Sequence, residues 1–212
     1  ERSVQGKALP MMYWQRQSRF YRIVSKRRID MVYLCLANGF EEVEAFAPLD
    51  LLRRAGVEVY TVGIGGEVIT GAHGIQVRAD ITEEQTEFSP SLEMLILPGG
   101  SEGTENLNAS KTVHELIDYA MERGIYIAAI CAAPTILGRR GILAGRCAVC
   151  YPGLEKMLTD ANVTDRPVVV DDTIITARGM GVALQFGLEL VHLLCGEDTA
   201  KELRLTTLIA AK

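Results

Sequence analysis

The sequence predicts a three-layer α/β domain built around a mostly parallel sheet. Three observations carry this. Short, continuous apolar runs suit strands buried on both faces. Amphipathic stretches between them suit crossover helices. The two kinds alternate from residue 31 onward, as a parallel sheet with helical connections requires.

MVYLCLA (31–37) is the first apolar run and stops at Asn38-Gly39. Residues 44–55 read as a helix, with Phe46, Leu49, Leu51 and Leu52 inward and Arg53 and Arg54 in the last turn. Gly56 ends it. VEVYTVGI (57–64) is a second strand, and Gly65-Gly66 turns the chain into short strands around 67–70 and 75–77. LEMLILP (92–98) is another buried strand, closed by Pro98-Gly99-Gly100. Residues 111–123 form an amphipathic helix with Val113, Leu116, Ile117, Ala120 and Met121 inward. IYIAAI (125–130) is a further strand, followed by Cys131 and a helix-like AAPTIL (132–137). PVVVDDTIITA (167–177) reads as a hairpin turning at Asp171-Asp172. Residues 182–194 and 199–211 are helical.

The chain has 212 residues, 48% hydrophobic and 23% charged, the mix of an ordinary globular domain. A disordered tail, a collagen-like repeat and a disulfide-dense mini-protein are excluded. The longest uncharged apolar run, 125–137, is 13 residues, short of the roughly 18 a membrane span needs. Five cysteines, at 35, 131, 147, 150 and 195, are an odd number in apolar contexts, which points to reduced thiols and a cytoplasmic location.

Charge divides the chain in two. Residues 1–30 hold eight Lys/Arg against two acids, a net +6, whereas 31–212 hold 14 against 25, a net −11. An acidic body is the wrong sign for nucleic acid. The basic segment has no sustained period, and it reads as a transit peptide, a basic arm or an upstream extension. The last is the expectation: residues 1–30 lie outside the domain, which spans 31–212 with Met31 as its natural beginning.

In open α/β sheets, ligands bind beyond the carboxyl ends of the strands. Three such ends carry unusual residues: 38–44 (NGFEEVE), Pro98-Gly99-Gly100, and Cys131. Small residues flank Cys131, as a nucleophile on a tight strand-to-helix turn demands. A helix beginning directly after it would aim N–H groups at the sulfur and lower the thiol's pKa. A buried cysteine is more often a small apolar filler, but a strand end favours chemistry. Glu44, in a first helical turn, is the candidate partner, while Glu41 and Glu42 read as solvated. Gly99 and Gly100 would let backbone amides approach an oxyanion. His114 and His192 fall on polar helix faces. His73 sits in a Gly-rich turn and would reach a site only across a subunit contact. Cys147 and Cys150 have CxxC spacing, but in a strand they face opposite ways, so no metal site is expected.

ANGFEEVEA (37–45), LLRRAGVEV (51–59), LILPGG (95–100), AAICAAPTIL (128–137) and Arg178-Gly179-Met180-Gly181 together resemble the ThiJ/PfpI superfamily. The resemblance is to its protein-deglycase (DJ-one-like) branch, and it covers residues 31 to about 210. It implies a flavodoxin-like fold and a homodimer, with no cofactor. It places the reactive cysteine at Cys131, the acid hydrogen-bonded to it at Glu44, an amide-lined pocket at Gly99, Gly100 and Ala132, and a dimer-contact arginine near the site at Arg54. The implied activities are protein deglycation and a cofactor-independent glyoxalase reaction on 2-oxoaldehydes or their early glycation adducts. The alternative is an oxidative-stress sensor or chaperone-like binding protein using oxidation of Cys131 without turnover. Some members are named for thiazole biosynthesis.

Two departures matter. Protease-like members carry a histidine directly after the cysteine, where this chain has Ala132, so peptidase activity is not expected. Some deglycase-branch members place a histidine near the sulfur where this chain has Tyr151, and a phenol is a poor base at neutral pH. A third reading, a glutamine-amidotransferase-like hydrolase, needs a downstream histidine, and only His192 is available.

Overall fold

The computed structural model describes residues 31–210. The basic segment 1–30 lies outside the described residues, and the last helix, expected over 199–211, ends earlier, at Thr206, with Leu208 at φ 58.

The strands in chain order are β1 (Met31–Ala37), β2 (Glu58–Ile64), β3 (Val68–Thr70), β4 (Gln76–Arg78), β5 (Ile81–Thr82), β6 (Leu92–Leu97), β7 (Tyr126–Ile130), β8 (Cys147–Ala148), β9 (Asn162–Val163), β10 (Val168–Asp171) and β11 (Ile174–Ala177). Seven of them form the central sheet, in the spatial order β10-β11-β7-β6-β1-β2-β5. Every pairing in it is parallel except the β10–β11 hairpin at one edge. Two small sheets lie outside it: β3 with β4, antiparallel, and β8 with β9, parallel. The long parallel strands run in the doubly wound, flavodoxin-like order, and the chain reverses direction across the sheet between β1 and β6.

Strand alternation divides the apolar residues between two cores. Val32, Leu34 and Leu36 of β1 face helices α1 (Glu42–Arg54) and α5 (Ala183–Cys195). Tyr33, Cys35 and Ala37 face α2 (Ser101–Ala109), α3 (Lys111–Arg123) and α4 (Pro134–Arg139). An unbroken apolar strand serves both cores at once, because successive side chains point to opposite faces. A last helix, α6 (Glu197–Thr206), packs against α5.

Helix α1 begins earlier than its apolar pattern suggests, at Glu42. The Glu41 side chain caps it, accepting the Glu44 N–H at 2.7 Å. Glu42 and Glu44 occupy the first turn and Arg53 and Arg54 the last, both favourable to the helix dipole. Pro48 lies inside α1, and α5 approaches there closely because Gly187 has no side chain: a methyl group on it would lie 2.9 Å from Pro48 Cα. Helix α3 is capped by Ser110, whose hydroxyl accepts the Val113 N–H, and ends on Gly124 in the left-handed conformation.

Helix α2 has no apolar stripe to announce it, because SEGTENLNA holds one large apolar residue, Leu107. Helix α4 starts at Pro134, not directly after Cys131; residues 131–133 form a tight turn. Proline suits a first helical position, where no N–H is needed. The hairpin at Asp171-Asp172 forms as expected, with Asp172 at φ 57. Among the described residues no helix is long and apolar enough to cross a membrane.

Candidate active site

The carboxyl ends of β1, β6 and β7 converge at the topological switch. Cys131 follows β7 with φ 65, a left-handed conformation that costs a residue with a Cβ of order 1 kcal/mol or more. Hydrogen bonds hold it there: its N–H donates to the Ala177 carbonyl at 2.9 Å, and its carbonyl accepts the Tyr151 N–H at 2.7 Å. The thiol is thereby turned off the sheet, half-buried, toward the start of α1.

Glu44 meets it there. Its side chain is buried, hydrogen-bonded to the Cys131 thiol and to the Met180 N–H, and Oε2 accepts the Gly99 N–H at 3.0 Å. Gly99 is required by crowding. A methyl group on it would lie 2.4 Å from Glu44 Oε2 and 2.6 Å from Cys131 Cβ. Gly100, at φ 91, is equally constrained, since a methyl group there would lie 2.2 Å from the Gly39 carbonyl oxygen. The amides of Gly100 and Ala132 both reach the Cys131 sulfur.

Two acids share this pocket. Burial pushes the Glu44 carboxyl up, to about 7; the charge of Glu41 adds to this, while the thiol and the two amides oppose it. With Glu44 ionised, burial and then the carboxylate's charge push the Cys131 thiol up to about 12, against the two amides. The lowered thiol expected from a helix directly behind the sulfur is therefore not produced by backbone alone. Helix α4 starts too late, and burial outweighs the amides. The pair instead passes from two protons to one as pH rises through about 7, and above that the sulfur and carboxyl hold a single proton between them.

Other expected residues fall differently. Glu42 is buried, not solvated: His73 on the β3–β4 turn donates its backbone N–H to Oε1 at 2.8 Å and places Nδ1 2.8 Å from Oε2. Burial alone would raise Glu42, but the His73 bonds outweigh it and hold the carboxyl low. His73 is thus engaged within its own chain on Glu42 and not on the thiol. Arg54 is exposed and pairs with Asp50 at 2.6 Å, one turn back on α1. Tyr151 does come to the site, its ring facing the thiol across Gly179. His114 is half-buried, its Nε2 2.8 Å from the Asn108 carbonyl, and His192 is exposed on α5. Cys147 is exposed and Cys150 buried.

Among the described residues, Glu41, Glu42 and His73 bring one ligand atom each within 4.8 Å of one another. The cap on Glu44 and the Glu42–His73 bonds already use this cluster. A cavity of about 330 Å³, lined by Pro90, Leu92, Tyr119 and Arg123 among others, lies at the amino-terminal ends of β6 and β7, away from the thiol. Sequence reasoning missed Gly179 and Met180 as individual site residues. Their signal was the Gly-rich turn before α5, with Gly179 at φ 155.

A doubly wound sheet with a cysteine on a strained strand-to-helix turn, hydrogen-bonded to a buried glutamate, defines a class of α/β proteins with a half-buried, acid-paired thiol. The chain belongs to the DJ-1/PfpI family, whose pattern matches residues 30–193. It is 35% identical over 178 residues to protein dj-1beta of Drosophila melanogaster, covering 82% of this chain and 95% of that protein. It is 32% identical over 164 residues to the glutathione-independent glyoxalase DJR-1.2 of Caenorhabditis elegans, covering 77% and 87%. The crystal structure of a mutant of the DJ-1 superfamily protein STM1931 from Salmonella typhimurium superposes with a TM-score of 0.82. Identity there is 32%, over 86% of this chain and all of that one.

Proposed function

We propose that this chain is a cysteine-dependent enzyme converting 2-oxoaldehydes, or their early glycation adducts, to hydroxy acids without a bound cofactor. The observation that carries the reading is the Cys131–Glu44 hydrogen bond, with Glu44 pushed up to about 7, where an acid works well as a neutral-pH proton shuttle. The glyoxalase relative supports the substrate class.

The Cys131 sulfur would attack the aldehyde carbon as its proton passes to Glu44, giving a hemithioacetal. The carbonyl electron pair moves to oxygen, which the Gly100 and Ala132 amides would hold. Glu44 would hand the thiol's proton to that oxygen, which frees its carboxylate. The carboxylate would then remove the proton from the former aldehyde carbon and return it to the neighbouring carbon, while the new hydroxyl's proton passes to the former ketone oxygen. This internal redox leaves a thioester, which water cleaves to the hydroxy acid and free thiol. No outside oxidant or reductant enters. We also read the functional unit as a homodimer, because α1 leaves Val43, Asp50 and Arg54 exposed along its length.

Lactate formation from methylglyoxal tests the enzyme reading, with Cys131→Ser and Glu44→Gln in parallel. Both variants should lose turnover; parent-like turnover in Cys131→Ser would sink it.

A further inference from the structure

A methyl group placed on Gly179 would stand 3.4 Å from Tyr151 Cδ2, 3.7 Å from Glu44 Oε1 and 3.8 Å from Cys131 Sγ. These are ordinary contact distances. A thiol, a carboxyl and an aromatic ring therefore face one small space that Gly179 leaves unfilled. The opposite side, at Gly99, is closed by contacts too short for any added atom. A molecule entering to meet the sulfur has the Gly179 side left to it.

That side carries an aromatic ring and is half open. Tyr151 is 53% exposed and Met180 is 54% exposed, although both are fixed to the site through their backbones. The Tyr151 N–H donates to the Cys131 carbonyl, and the Met180 N–H to Glu44. A carbonyl carbon on the sulfur, with its oxygen toward the Gly100 and Ala132 amides, leaves its substituent toward the Tyr151 ring and the turn that carries Met180. Covering such surface with an apolar group is favourable, and a second aromatic ring gains further by edge or offset contact.

We propose that Tyr151 and Met180 form a pocket for the substituent, and that the site selects 2-oxoaldehydes with an aromatic or extended apolar group over methylglyoxal. This rests on Cys131 being the nucleophile, and it names the substrate class within that reading. Tyr151 acts here through its ring and not through its hydroxyl.

The test is protection of Cys131 from iodoacetamide, read on the Cys131 peptide by mass spectrometry. Phenylglyoxal and methylglyoxal are compared, each referenced to its protection of free cysteine. Lactate and mandelate formation are measured alongside. Phenylglyoxal should protect the parent at a concentration about tenfold lower, and Tyr151→Phe should keep that ratio. Tyr151→Ala should bring it within about twofold. Met180→Ser, at an exposed position, should narrow it independently if Tyr151→Ala folds poorly. Equal protection in the parent, or an unchanged ratio in both Tyr151→Ala and Met180→Ser, overturns the proposal. Preferential protection without hydroxy acid would support the pocket while removing the turnover reading. No protection by either aldehyde would remove both.

Discussion

The Cys131 thiol and the Glu44 carboxyl are hydrogen-bonded across the topological switch of the sheet, one at the end of β7 and the other in the first turn of α1. Two acids in contact do not both ionise near neutral pH, so the pair holds two protons below about pH 7 and one above it. Turnover at limiting substrate should therefore rise as pH increases through about 7, where Glu44 gives up its proton. A kcat/KM profile for methylglyoxal between pH 5 and 9 checks this; a flat profile would place the proton transfer elsewhere.

Glu44→Gln should separate alkylation from catalysis. The amide removes the negative charge that pushes the thiol up and can still donate to the sulfur. It cannot carry a proton. Iodoacetamide should modify Cys131 at least as fast as in the parent at pH 8, while lactate formation falls by about 10²-fold. Glu44→Leu, lacking a donor, should titrate its thiol above the Gln variant.

The same carboxyl makes a pH-dependent contribution to stability. Its folded value, about 7, lies above the ordinary 4.5, so the folded chain holds this proton more tightly than the unfolded one. Stability from this group is complete below about pH 4.5 and is lost as pH rises through about 7. The loss amounts to at most about 3 kcal/mol. Thermal unfolding should show Glu44→Gln more stable than the parent at pH 8, with the gap closing toward pH 5.

Gly99→Ala should damage the site more than the fold. Its methyl group would press on Glu44 Oε2 and Cys131 Cβ together, forcing the pair apart. Displacements near 1 Å at reacting groups cost about 10²-fold in rate. Parent-like kcat with a normal melting temperature would show that the pair tolerates separation.

Gly187→Ala tests the α1–α5 contact. Alanine gains about 1 kcal/mol of helix propensity over glycine. Overpacking against Pro48 Cα and Leu51 Cδ1, at 2.9 and 2.8 Å, costs about 1–3 kcal/mol. The melting temperature should drop by several degrees. Sedimentation velocity on the parent at micromolar concentration, run beside it, should show a dimer that Arg54→Glu weakens; a monomeric parent would refute the homodimer.

Much of this was legible in the residues themselves. Continuous apolar runs such as MVYLCLA and IYIAAI specify strands covered on both faces, and the amphipathic stretch at 111–123 specifies a helix, because burial follows the period of each element. The small residues around Cys131 announce a tight turn, which the structure makes with φ 65. The polar helix SEGTENLNA carried no such signal. It is helical because it follows the Gly99-Gly100 turn and packs Leu107 into the core.

Local pattern determined the long strands and the amphipathic helices, the strand-end position of Cys131 and the candidacy of Glu44. The tertiary structure alone decided which of three neighbouring glutamates does what. Glu41 caps α1, Glu42 is buried against His73 on a distant hairpin, and Glu44 reaches the thiol. Successive residues of one helical turn point about 100° apart, so each meets a different part of the fold. Those surroundings also set the acidities: a carboxyl's pKa answers to burial and to neighbouring charges, and both come from segments far away in the chain.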